Sequence, residues 1–255
     1  MNKIRNKILH YCWFGNNPLP AETVQYMESW KKFLPDFEIM RWDESNFDVH
    51  SVPFTEQAYK EKKWAFVSDY VRCYALYKYG GLYLDTDVEV IRRLDDLFDT
   101  SFVGFEHKNV VAPGLILYAC EPETKFYRDL LKHYNNLTFD MGNINELTSP
   151  IIFTRMLLQM GLKQDNSLQT VEGIKVYPME YFNPVGDNPA DKPHITCNTR
   201  TIHWYQASWY GKVDADLLKK RKKYGRFLGT LLFILRHPVA AIQRKAGKNK
   251  YNVEI

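Results

Sequence analysis

The apolar positions of the chain fall into alternating strand-like and helix-like stretches. Lys7 to Trp13 (KILHYCW) reads as a first strand. The turn-rich run Phe14 to Pro20 leads into a helix near Ala21–Phe33. Asp36 to Trp42 reads as a second strand, and Phe54 to Lys62 as a short amphipathic helix after a polar loop at 43–46. Trp64 to Tyr79 predicts a helix that is apolar almost all round, the pattern of a buried helix. Beyond it the pattern predicts strands at Leu82–Leu84, Val88–Ile91, Phe102–Phe105, Leu115–Tyr118, Thr170–Tyr177 and Thr201–Tyr205. Helices are predicted at Leu94–Phe98, at Pro122–Tyr134 with Pro in the first turn, and at Ile151–Met160 behind Thr148-Ser149-Pro150 as a hydroxyl-capped start. Residues 181–193 read as a loop rich in Pro, Asn and Asp. Strands interleaved with helices define an α/β class.

The densest chemistry lies in residues 64–89, WAFVSDYVRCYALYKYGGLYLDTDVE. The apolar helix carries a narrow polar stripe of Ser68, Asp69 and Arg72, spaced so that they share one face. Gly80 and Gly81 end it, where a left-handed residue without a Cβ is wanted. The strand Leu82-Tyr83-Leu84 then runs into Asp85-Thr86-Asp87. Residues i and i+2 of a strand point the same way, roughly 6.5–7 Å apart at Cα. Two carboxylates so placed suit a hard divalent cation with oxygen ligands, and such a cation carries a diphosphate; the plainer reading is a strand ending at a turn. Trp13 sits at the carboxyl end of the first strand, where open α/β sheets place ligands; the alternative is a core tryptophan.

Composition adds limits. The chain has 255 residues, enough for one large α/β domain or a domain with an extension. Aromatic residues reach 15%, which suits stacking on sugars or bases as well as core packing. The four cysteines, Cys12, Cys73, Cys120 and Cys197, are scattered. That spacing points to reduced thiols in a cytoplasm rather than a zinc site or a disulfide framework. The basic start MNKIRNK is followed by too short an apolar run for a signal peptide, and no segment reaches the roughly 18 apolar residues of a membrane span.

The net charge of +4 is unevenly distributed. Residues 212–255 hold twelve Lys/Arg against three Asp/Glu, a balance of +9, so the preceding 211 residues carry −5. Within that extension Lys219 to Arg226 is polybasic, Phe227 to Leu235 (FLGTLLFIL) is apolar, and Ala240 to Lys250 is basic again. An apolar segment between basic clusters suits the surface of an anionic membrane; the alternative is a basic helix packed on the domain. Nucleic-acid binding is disfavoured, because the body is acidic and no nucleic-acid motif accompanies the basic run.

The pattern S-D-x-x-R followed by G-G-x-Y-x-D-x-D resembles the DXD module of glycosyltransferase family 32, which includes capsular polysaccharide transferases, with a remoter likeness to glucosylating clostridial toxins. The resemblance begins at KILHYCWFG, continues through ESWKKFLPDFEIMRWDESNF and the central stretch, and resumes at TSP and IHWYQASW, covering roughly residues 4–210. It implies a GT-A fold, a Rossmann-like mixed central sheet flanked by helices, spanning residues 1–211. It also implies a retaining hexosyltransferase. The donor would be a nucleotide sugar, in the first place a UDP-sugar, and the acceptor a glycan or lipid-linked oligosaccharide in capsule-like polysaccharide synthesis. Localisation would be cytoplasmic, peripheral at the inner membrane face. By the same resemblance Trp13 stacks on the base, Asp69 and Arg72 contact the donor sugar and diphosphate, and Tyr83 lies beside the nucleotide. Asp85 holds the ribose or sugar and approaches the metal through water, while Asp87 binds the metal directly. His203, Ser208 and Trp209 match the loop that closes over the diphosphate, with His203 or Ser208 a further metal ligand. A histidine ligand tilts an otherwise all-oxygen site towards Mn²⁺ over Mg²⁺. Thr148-Ser149-Pro150 departs from the Thr-Gly-Pro of many members.

Two rivals stand beside this reading. Asp85-Thr86-Asp87-Val88 also fits the nucleophile motif of haloacid-dehalogenase-type phosphotransferases, with Asp187 and Asp191 as an acidic pair for Mg²⁺. The strand is not the first of the domain, however, and Asp187 falls in a Pro/Asn-rich turn. The other rival is a non-catalytic sugar-binding module of the same fold, against which the intact Asp69, Arg72, Asp85 and Asp87 argue.

Overall fold

The computed structural model describes residues 6–186, 192–205 and 212–237. Strand β1 (Ile8–Cys12) leads into helix α1 (Ala21–Phe33), then β2 (Glu38–Trp42), α2 (Pro53–Lys60), α3 (Trp64–Tyr79) and β3 (Gly81–Tyr83). There follow β4 (Val88–Val90), β5 (Phe102–His107), β6 (Val110–Val111), β7 (Leu117–Ala119) and α4 (Lys125–Asn135). A 3₁₀ turn at Met141–Asn143 precedes α5 (Ser149–Gln159), the hairpin β8 (Gln169–Val171) and β9 (Ile174–Tyr177), α6 (Met179–Phe182) and β10 (Thr201–His203). Two further helices, α7 (Lys212–Tyr224) and α8 (Arg226–Arg236), pack on each other.

The main sheet runs β2-β1-β3-β7-β5-β9-β8, with β6 paired to β5. The pairs β1–β2, β1–β3 and β5–β9 are parallel; β3–β7, β5–β7 and β8–β9 are antiparallel. The sheet is mixed, and side chains alternate across it as the two-residue period requires. Cys12, Tyr83, Val103, Leu117 and Ala119 join α2, α3, α4 and α5 in one core. Leu9, Tyr11, Leu82, Phe102 and Tyr118 join Trp30 of α1 and Phe182 of α6 in the other. A mixed central sheet flanked by helices is what the resemblance implied.

Several elements depart from the sequence reading for local reasons. Leu94–Phe98 forms turns, not a helix; the bond from the Leu97 N–H to the Leu94 carbonyl spans three residues, not the four of an α-helix. Helix α4 begins at Lys125, leaving Pro122 outside, because Glu123 adopts φ +56° and donates its N–H to the Tyr77 carbonyl. The strand expected over 170–177 is a hairpin turned at Glu172-Gly173, both at positive φ, as a primed turn requires. Thr148 precedes α5 without a side-chain cap; its hydroxyl bonds the Asn145 carbonyl.

Candidate active site

Helix α3 delivers two charges into the core beneath the carboxyl end of β3. Its C-terminus turns on Gly80 (φ +64°), whose N–H bonds the Leu76 carbonyl. Gly81 (φ +92°) follows; a Cβ there would sit 2.5 Å from the Ile8 carbonyl oxygen, so the double glycine is what lets β3 lie against β1. This tight reversal sets Arg72 of the helix opposite Asp85 after the strand.

Arg72 is almost fully buried. Its Nη2 donates to Asp69 Oδ1 at 2.9 Å and to Asp85 Oδ1 at 3.1 Å, and its guanidinium lies over the Tyr83 ring, 4.8 Å from the centroid. Tyr83 donates its hydroxyl to Asp85 Oδ1 at 2.8 Å. Ser149, at the start of α5, donates to Asp69 Oδ1 at 2.7 Å. Every charge is paired, which is the condition for burying them. Burial raises the Asp85 carboxyl against the opposing pull of Arg72, with Asp87 adding to the rise. Burial likewise raises Asp69, again opposed by Arg72. For Arg72 burial would favour the neutral form, but Asp85, Tyr83 and Asp69 outweigh it and hold the guanidinium charged. Burial lifts the Tyr83 phenol far above its ordinary value, so it stays a donor.

The second half of the site comes from the far end of the chain. Strand β10 pairs antiparallel with β4, placing His203 opposite Val88. His203 Nε2 lies 3.0 Å from Asp87 Oδ1, and the Trp204 N–H donates to the Asp87 carbonyl. Burial pushes the His203 imidazole down, but the Asp87 carboxylate beside it prevails and raises it above its ordinary value. Donor atoms of Asp85, Asp87 and His203 all lie within 4.8 Å of one another.

These residues fit a divalent cation. Two carboxylates and an imidazole are an O/N donor set that suits Mn²⁺ or Mg²⁺. The 3.0 Å between Asp87 Oδ1 and His203 Nε2 is close to the roughly 3 Å edge of an octahedron with bonds of about 2.1 Å. The cluster also has a deficit of positive charge, with Asp69, Asp85 and Asp87 set against Arg72 and His203.

Other expected residues are placed as follows. Trp13 follows β1, half-buried, with its N–H bonded to the Trp42 carbonyl and its indole N–H to the Asn17 carbonyl. Tyr83 is buried beneath Arg72, so it reaches a ligand only through Asp85. Ser68 bonds the Trp64 carbonyl within its own helix. Ser208, Trp209, Asp187 and Asp191 lie outside the described residues. Two contributors were not found from sequence. Gly114 donates no side chain, yet a Cβ there would collide with Asp85 Oδ2, and its carbonyl accepts the Asp85 N–H. Ser149 reads from sequence as part of a hydroxyl-capped helix start and as a departure from Thr-Gly-Pro. Its signal was a hydroxyl in place of glycine, with nothing local to name Asp69 as the partner.

In comparison with known proteins, residues 20–103, which include Asp69, Arg72, Asp85 and Asp87, match the family described as "Glycosyltransferase sugar-binding region containing DXD motif". The chain is similar to inositol phosphoceramide mannosyltransferase 3 of Schizosaccharomyces pombe, 38% identical over 36% of this chain and 26% of that protein. It is also similar to lactosylceramide 4-alpha-galactosyltransferase of Pan troglodytes, 26% identical over 58% of this chain and 44% of that protein. An uncharacterised glycosyltransferase, L373, of Acanthamoeba polyphaga mimivirus is 23% identical over 79% of this chain and 82% of its own length. The chain thus spans less than half the length of the first two relatives.

Proposed function

We propose that the protein is a hexosyltransferase that moves a sugar from a nucleotide-sugar donor, a UDP-sugar, to a lipid-linked or glycan acceptor in capsule-like polysaccharide synthesis. The observation that carries this reading is the convergence of Asp85, Asp87 and His203 beside an Arg72 that holds Asp85. The two curated relatives are named for glycolipid acceptors, inositol phosphoceramide and lactosylceramide, and for hexosyl transfer, which favours a lipid-linked acceptor here.

In the reaction the bond from the anomeric carbon to the diphosphate breaks and a bond to an acceptor oxygen forms, the acceptor proton leaving with it. Asp87 and His203, with Asp85, are the residues that would hold a divalent cation, Mn²⁺ or Mg²⁺. A cation held there supplies positive charge against the departing diphosphate. Arg72 fixes the Asp69 and Asp85 carboxylates from one guanidinium, and Tyr83 fixes Asp85 Oδ1 from its other side. Trp13 offers an indole face at the carboxyl end of β1 for stacking on the base. Ser208 and Trp209 complete the reading as the segment that closes over the diphosphate, and transfer proceeds with retention at the anomeric carbon.

A panel of nucleotide sugars incubated with the protein and Mn²⁺ tests this. Release of nucleoside diphosphate from at least one hexose donor, abolished by chelation, is expected. No turnover across the panel would leave the non-catalytic module standing. Hydrolysis of a generic phosphate ester that disappears in Asp85→Asn would favour the phosphotransferase.

A further inference from the structure

We propose that the α7–α8 hairpin is a docking face for an anionic lipid bilayer, and this stands independently of the sugar-transfer reading. The hairpin has an inside. Gly225 (φ +78°) makes the turn between the helices, and Gly229 lets them cross closely, since a Cβ there would meet the Lys220 carbonyl oxygen at 2.5 Å. Leu217 and Phe233 are buried. Asp216 accepts from Lys220 at 2.6 Å and lies 3.1 Å from His237 Nε2, while Arg221 Nε donates to the Thr230 hydroxyl at 2.9 Å. One face of α8 is therefore committed to α7.

The other face is apolar and open. Phe227 is 86% exposed and Leu235 72%, with Leu228, Leu231 and Ile234 also exposed. Their spacing, i, i+1, i+4, i+7 and i+8, lays them in one stripe. An exposed apolar stripe of this kind marks an interaction site. The same hairpin bears exposed cations, Lys219 and Lys223 on α7, with Tyr224 beside Lys223, and Arg236 at the end of α8, 3.8 Å from Asp216. Residues 212–236 carry eight Lys/Arg against two Asp, a balance of +6, whereas the first 211 residues carry −5.

Charge selects the occupant. A second copy of the hairpin would bring +6 against +6. An anionic lipid surface complements the hairpin's positive charge while its acyl region takes the stripe. The same surface repels the acidic body, which orients the protein with the hairpin down. Helix α8 is about 16 Å long, too short to span a bilayer, and among the described residues no helix is long and apolar enough to cross one. The segment accordingly lies in the interface rather than across it.

Flotation of the full chain with vesicles of phosphatidylcholine alone, or of phosphatidylcholine mixed with phosphatidylglycerol, tests the inference. The protein is expected to float with the mixed vesicles only, and less so as salt rises. Two variants are read beside it, the triple Phe227→Ser/Leu231→Ser/Leu235→Ser and the double Lys219→Glu/Lys223→Glu. Each should lose about tenfold or more in bound fraction, with unchanged circular dichroism. Flotation equal to wild type in both variants would overturn the inference, as would a wild-type protein that ignores phosphatidylglycerol. So would a wild-type dimer, by light scattering, that the triple variant converts to monomer without any vesicle binding; the stripe would then belong to a second copy.

Discussion

Arg72 is the residue on which the site turns, because among the described residues its guanidinium pairs with both Asp69 and Asp85. Its position was legible in the spacing of Asp69 and Arg72 on an otherwise apolar helix, since a charge in such a helix needs a partner. The partners from elsewhere were not legible: Ser149 is 80 residues from Asp69, and Gly114 matters through the volume it leaves to Asp85. His10 also escaped notice. It is fully buried between Trp42, whose indole N–H donates to Nδ1 at 3.1 Å, and the Gly80 carbonyl, which accepts from Nε2 at 2.9 Å. The Trp42 bond requires an unprotonated Nδ1, so the ring is neutral with its proton on Nε2, and burial lowers its pKa from 6.5 to about 4, the Gly80 bond opposing only in part. The unfolded chain thus binds this proton more readily than the folded one. Stability from His10 is complete above pH 6.5 and is lost as pH falls towards 4, by about 3 kcal/mol in total. Urea unfolding across that range should show a correspondingly steeper loss in wild type than in His10→Gln; parallel profiles would contradict the assignment.

Among the elements, the unit α3–Gly80-Gly81–β3 was readable nearly to the residue, because an apolar helix, a glycine pair and a short strand each carry their own local signal. Elements fixed by distant pairing were not. Strand β4 leaves the main sheet to pair with β10, and nothing in residues 88–90 names a partner more than a hundred residues away. Yet this two-stranded ribbon is what carries His203 to Asp87. The loop between β6 and β7 matters likewise, because Gly114 touches Asp85 from it. In Gly114→Ala the new methyl meets the end of a side chain, so the fold should persist while Asp85 is displaced. Mn²⁺ affinity is expected to fall about tenfold, equivalent to roughly 1.4 kcal/mol, with a melting temperature within a few degrees of wild type. Wild-type metal affinity in that variant would show that Asp85 has no part in holding the cation.

For the whole molecule, the class was legible because strand and helix periods alternate along the chain, and the charge split was visible by counting. The sheet order was not legible, since the antiparallel entry of β7 between β3 and β5 depends on the packing of both faces. The molecule that results closes one site from widely separated pieces: helix α3, the end of β3, the start of α5 and strand β10. In the proposed function Asp87, with Asp85 and His203, holds a divalent cation through which a nucleotide sugar is bound. Titration calorimetry of a UDP-sugar into the protein with Mn²⁺, for wild type and Asp87→Ala, tests that claim most directly. Mn²⁺-dependent binding by wild type and its loss in the variant are predicted; an unchanged donor affinity in Asp87→Ala would contradict it.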